Sequence, residues 1–235
     1  MRRKGFSLID SLIGLALTLL ILASSMEFFG LGRRVFFKLK EVQEESLSVL
    51  AALEKIRLDA GRAGAGLQTA IGLDLVTGLE IHDSTLTLTS EDKGLSLNQD
   101  LAEGQTKLAC DGVEDLAKGR TLCIFDDGQG EVHSIASVGR GFVMLSSPLL
   151  HSYKKEETQV LALEVISYYH DAVSKVLRRK ANDSSGQPLL EDVSAWEVRP
   201  SGDVPLITVG IQLKSKEKRY ETSFLPKNMA LAKKS

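Results

Sequence analysis

Lys4-Gly5-Phe6-Ser7-Leu8-Ile9-Asp10-Ser11-Leu12-Ile13 joins a short basic leader, Met1-Arg2-Arg3-Lys4, to a long apolar run. From Ser11 to Gly32 the only charged residue is Glu27. As a helix that run rises about 33 Å, enough to cross a hydrocarbon core. Its Leu, Ile, Ala and Gly, with a few Ser and Thr, suit a surface facing lipid or another helix. Asp10 stands out, because a carboxylate at mid-bilayer costs about 2.5–3.5 kcal/mol. Ser7 and Asp10 have the spacing of a capping box, which places the acid in the first helical turn. The other reading pairs Asp10 with a cation at the same depth, such as a new N-terminal ammonium on Phe6 of a neighbouring chain. A secretory signal cut near Ala23-Ser24-Ser25 competes with the membrane-anchor reading. Asp10 would interrupt its apolar core, and the helical pattern runs on well past that point.

Beyond the apolar run, Val35, Leu39, Val42, Ser46, Val49, Leu53, Ile56 and Ala60 alternate spacings of four and three. That is a seam for packing on another surface. Glu41, Glu44, Glu45, Glu54 and Arg57 fall off it. Gly61, Gly64 and Gly66 predict the stop. One helix from about Phe6 to about Ala60 would be roughly 80 Å long. A coiled-coil dimer would use the same seam, which spans under four heptads.

From Ala70 onward the period changes to two, cleanest in Thr85-Leu86-Thr87-Leu88-Thr89. Strands are predicted at 107–110, 121–125, 132–138, 142–146, 159–169, 172–178, 195–199, 206–214 and 219–224. Asp127-Gly128, Gly139-Arg140-Gly141, Asn182-Asp183-Ser184-Ser185-Gly186 and Ser201-Gly202-Asp203 mark turns between them. Arg178 to Gln187 is expected to be an exposed loop. Short strands with tight connections predict antiparallel sheets packed on the helix, an α+β fold.

The stretch from Lys4 to Ile13 resembles the class III signal of type IV prepilins and type II secretion pseudopilins. The resemblance implies a long N-terminal helix, half of it transmembrane, against antiparallel sheets. It implies cleavage by a prepilin peptidase between Gly5 and Phe6 on the cytoplasmic side, and N-methylation of Phe6. Asp10 stands where the family usually has glutamate, so subunit–subunit pairing with a neighbour's amine would fall to a side chain one methylene shorter. Leu58-Asp59-Ala60-Gly61-Arg62-Ala63-Gly64, Tyr168-Tyr169-His170-Asp171, Val176-Leu177-Arg178-Arg179 and the run from Gly186 to Val193 resemble PilW/GspJ-type minor pilins, more patchily. The chain then reads as leader peptide (1–5), transmembrane or filament-core helix (6–32), amphipathic continuation (33–66) and β-rich globular domain (67–235). Its expected partners are the prepilin peptidase, other minor and major pilins or pseudopilins, and the inner membrane before assembly. It would sit in the inner membrane as a single-pass protein with its C-terminal domain periplasmic, then in the filament.

Composition agrees with a membrane helix plus one globular domain: 235 residues, 43% hydrophobic and 26% charged. The net charge of −2 becomes −3 from Arg33 on, with 26 cations against 29 acids. A weakly acidic exported domain does not predict a nucleic-acid surface, although Arg178-Arg179-Lys180 is a local basic run. The basic leader favours a cytoplasmic N-terminus, while Arg33, Arg34, Lys38 and Lys40 argue the opposite way. Cys110 and Cys123 flank a polar turn. A hairpin there would bring them within disulfide range and stabilise the domain by about 3 kcal/mol. Two reduced, partly buried thiols are the alternative. No catalytic motif, metal-ligand spacing or cofactor fingerprint is present, and His82, His133, His151 and His170 stand isolated. Asp126-Asp127-Gly128-Gln129-Gly130-Glu131 lacks EF-hand spacing and reads as a turn. The expectation is a non-enzymatic minor pilin helping to initiate or cap a type IV pilus, with no cofactor, small-molecule substrate or nucleic acid. A type II secretion pseudopilin, or a tip module for adhesion or DNA uptake, are the alternatives.

Overall fold

The computed structural model describes residues 8–201, 206–214, 219–226 and 228. The cleavage-site pair Gly5 and Phe6 lies outside them. The chain divides into two compact units, one ending at Ser48 and one starting at Val49. Helix α1 (Leu8–Arg62) begins in the first and ends in the second.

In the first unit, Leu12, Ile13, Leu20, Phe28 and Phe29 are each more than half exposed. Polar side chains satisfy themselves along the helix: Thr18 Oγ1 donates to the Gly14 carbonyl at 2.7 Å and Ser46 Oγ to the Val42 carbonyl at 2.9 Å. The early seam residues Val35, Leu39 and Val42 are exposed here.

In the second unit the seam is filled. Val49, Ala52, Leu53, Ile56, Asp59 and Ala60 are buried, at spacings of three and four. The helix ends where the glycines predict. Gly64 and Gly66 take φ of 73° and 74°, which L side chains rarely adopt. A Cβ on Gly66 would also lie 1.8 Å from a Glu91 carboxylate oxygen. The Gly64 amide donates to the Thr89 carbonyl at 2.8 Å, leading the chain against the sheet.

The strands are β1 (Leu79–His82), β2 (Thr85–Leu97), β3 (Lys107–Asp111), β4 (Thr121–Phe125), β5 (Gly130–Gly139) and β6 (Phe142–Leu145). They continue as β7 (Gln159–Asp171), β8 (Val176–Ala181), β9 (Gln187–Leu190), β10 (Val193–Ser201), β11 (Leu206–Leu213) and β12 (Arg219–Phe224). Among the described residues, β1 to β9 form one sheet in the order β1-β2-β3-β6-β5-β4-β7-β8-β9. Its interior strands also close on themselves, because β2 pairs with β7. The ring β2-β3-β6-β5-β4-β7 is thus a six-stranded barrel, and each of its pairings is antiparallel. β1, β8 and β9 extend it as an open sheet, while β10-β11-β12 form a separate one.

This corrects the expected pilin-like α+β fold of sheets laid on a long helix. The second unit is mostly β, and its strands close into a barrel with a core of its own. Closure comes from length. β2 and β7 have 13 residues each. One end of each lies in the open sheet and the other in the ring. An irregularity between Glu91 and Lys93, where such a bulge bends a strand, separates the two parts of β2. Leu97, Leu108, Leu122, Ile135 and Val143 fill the barrel interior. On the outer face of β4 and β7, Cys123, Phe125, Leu161 and Leu163 pack under Leu67 and Ala70, the latter from α2 (Gln68–Gly72). The helix residues from Val49 to Ala60, with Ala63 just beyond the helix end, pack instead with Leu86, Leu88, Ile166, Tyr168 and the inner face of β10 to β12.

Three local expectations also change. β1 and β9 form where no strand is predicted. β8 starts at Val176 because Asp171 Oδ1 accepts from the Val173 and Ser174 amides, both at 3.2 Å, and turns residues 172–175. The expected loop from Arg178 to Gln187 is for the most part the hairpin β8–β9.

Candidate functional site

The first candidate is the N-terminal half of α1. It is long and apolar enough to cross a membrane, with a mean hydropathy of 2.0 over its best window and none of that window buried. Asp10 lies in the first turn of α1 and is exposed. That position suits the helix dipole and leaves the carboxylate open to a partner.

The cysteines do not come together. β3 neighbours β2 and β6, whereas β4 neighbours β5 and β7, so two strands separate Cys110 from Cys123 in either direction around the barrel. Cys110 belongs to the interior core and Cys123 to the outer one under α2. Both are free thiols. The expected disulfide assumed a β3–β4 hairpin, and that hairpin does not form. Burial pushes both thiols up to about 11, so they are poor nucleophiles. Unfolding the chain without reductant should release two titratable thiols, while the native protein reacts slowly; finding none after denaturation would restore the disulfide.

Two buried polar clusters were missed by sequence reasoning. In the first, Asp59 of α1 is 4% exposed and accepts from Tyr168 Oη at 2.5 Å, Arg179 Nε at 2.7 Å and Lys55 Nζ at 3.0 Å. Burial alone would raise its carboxyl, but these donors outweigh it and hold the group below its ordinary value. Arg178 pairs with Asp171 at 3.2 Å. Two of the three cations in the basic run are therefore engaged internally, which weakens that run as a nucleic-acid surface.

The second cluster closes one end of the barrel interior. Glu131 and His133 are both buried on β5, two residues apart and so on one face. His133 Nε2 meets Glu131 Oε2 at 2.5 Å, and His133 Nδ1 meets Ser147 Oγ at 2.9 Å. The same carboxylate accepts from the Leu150 amide at 2.8 Å and the His151 amide at 3.2 Å. Burial would raise Glu131, but the Leu150 amide and His133 outweigh it and leave it below its ordinary value. His133 is thus not the isolated histidine the sequence suggested.

Asp126 Oδ1 accepts from the Gly128 and Gln129 amides at 2.9 Å, forming the β4–β5 turn. Among the described residues, no group of three His, Cys, Asp or Glu could hold a metal.

No protein-family model matches the chain, and no curated protein does. Solved structures with partial likeness include the Gp54 tailspike of Acinetobacter baumannii bacteriophage AP22 in complex with A. baumannii capsular saccharide. It is 16% identical at a TM-score of 0.30, over 33% of this chain and 15% of that one. The Pseudomonas phage phi297 tailspike gp61 is 17% identical at a TM-score of 0.27, over 32% of this chain and 14% of that one. This chain spans about a seventh of either tailspike, and no activity is carried over from them.

Proposed function

We propose that this chain is a membrane-anchored minor subunit of a type IV pilus or a related secretion pseudopilus, acting by assembly. One observation carries the reading. The exposed apolar helix directly follows a peptidase-type junction, Lys4-Gly5-Phe6, with a carboxylate in its first turn. Such a helix is stable in lipid, and equally in a bundle of like helices, because each satisfies its backbone internally. Assembly then exchanges lipid contacts for helix contacts. Asp10 supplies the charge that sets register against the methylated Phe6 amine of a neighbour. The partners of this reading are the prepilin peptidase and other pilins or pseudopilins, with the residues from Val49 on exported.

N-terminal analysis of the mature protein tests this. A chain beginning at methylated Phe6 is the expected result; one beginning at Met1 or near Met26 would overturn it. Asp10→Ala should leave Gly5–Phe6 cleavage intact and lower incorporation into filaments, and unchanged filament numbers would remove the pairing role.

A further inference from the structure

We propose that Ser147 is a nucleophilic hydroxyl that takes an acyl group from an activated ester, with His133 as its base. This goes beyond the filament reading and does not depend on it. The geometry follows from the β5–β6 hairpin. Ile135 pairs with Leu145, and the Ser146 amide donates to the Ser134 carbonyl at 2.9 Å. Carried one residue on, that register sets Ser147 opposite His133, where cross-strand side chains meet. Ser147 is an exposed residue, while the His133 side chain its hydroxyl meets is 4% exposed.

The tautomer is fixed from the far side. Glu131 already accepts from the Leu150 and His151 amides, so it meets His133 as a carboxylate and accepts a hydrogen bond from Nε2–H. That leaves Nδ1 bare, and the remaining polar contact of the ring is Ser147 Oγ at 2.9 Å, which therefore donates to it. A hydroxyl on an exposed residue, a base that accepts its proton and a third group that orients the base are the parts of an activated nucleophile. In the reaction Ser147 Oγ bonds to the acyl carbon and its proton passes to His133 Nδ1. The carbon–oxygen bond to the leaving group then breaks, and the proton moves from His133 to the departing oxygen. The products are acyl-Ser147 and an alcohol.

The full-length chain in detergent micelles, treated with a fluorophosphonate probe and mapped by peptide mass, tests this. The expected adduct sits on Ser147 and disappears in Ser147→Ala. Glu131→Gln supplies the discriminating variant. Its neutral amide can still accept from His133 Nε2 and the Leu150 amide, but it removes the charge that stabilises the imidazolium formed when Ser147 gives up its proton. Labelling should fall at least about tenfold, consistent with the contribution of a general base. Labelling of other residues instead, or an undiminished rate in folded Glu131→Gln, overturns the proposal. Should Glu131→Gln lose its fold by circular dichroism, Ser147→Cys decides. Its thiol should react with iodoacetamide at least about tenfold faster in the native chain than in urea, and equal rates overturn the proposal.

Discussion

Asp59→Ala is expected to lower the stability of the second unit by about 3–5 kcal/mol, the cost of removing one partner from a buried ion pair. The substitution removes little volume from the packed face of α1. What it removes is the acceptor of three donors. Tyr168 Oη and Arg179 Nε, at 2.5 and 2.7 Å, would be left facing an apolar helix. Tyr168 is fully buried and has no water to turn to. Arg179 is partly exposed, so it recovers some hydration by moving outward, which argues for the lower end of the range. Lys55 is nearly half exposed and contributes little. Thermal melts of the full chain should shift down by on the order of 10 °C. Asp59→Asn keeps an acceptor while losing the charge, and should fall between wild type and alanine. A shift of under about 1 kcal/mol for Asp59→Ala would mean that the cluster does not dock this part of the helix. The pH dependence has a definite sign. The folded Asp59 carboxyl titrates below its unfolded value. Its stabilisation is complete above the unfolded carboxylate range, near pH 4, and is lost as pH falls through the lower folded value. Asp59→Ala should flatten that acid limb.

What could be read from the sequence tracks how local the determining pattern is. The N-terminal signal and the apolar run are linear and need no partner. The glycines at 64 and 66 fix the helix end through backbone conformation alone. Most strands were legible because alternation is a property of four to eight residues. Their pairing was not. β2 meets β7 with Leu86 opposite Tyr168, and nothing near either strand announces the other. The barrel therefore looked like open sheets, and the cysteines looked like hairpin neighbours. The unbroken apolar run Leu122-Cys123-Ile124-Phe125 was the available hint, since such a strand is covered on both faces and needs a second layer outside it, and all four residues are buried. Asp59 carried a signal too. It follows Ile56 by three on the packed face of the helix, where a charge requires a partner, but apart from the half-exposed Lys55 its partners lie 109 and 120 residues away. Glu131 and His133 share a strand face by simple count, whereas Ser147 enters only once the hairpin register is known.

Glu131→Ala is expected to cost about 3–5 kcal/mol as well, by a different route. Here the carboxylate does not pair two elements through opposite charges. It gathers one end of the barrel, accepting from His133 and from the Leu150 and His151 amides. Leu149 and Tyr153, on either side of those amides, belong to the barrel core. Without the carboxylate the two backbone donors and the buried imidazole would face the interior unsatisfied, and each such group costs about 1–3 kcal/mol. The segment from Leu149 to Tyr153 would then pull outward to hydrate them, carrying core side chains with it. Hydrogen exchange should show this locally before global unfolding, with the amides of Leu150 and His151 losing protection first. Glu131→Gln should keep most of the stability, because one amide oxygen can still accept from the backbone. A large stability difference between the alanine and glutamine variants therefore assigns Glu131 to holding the barrel end by hydrogen bonds. Equal losses would assign it to its charge.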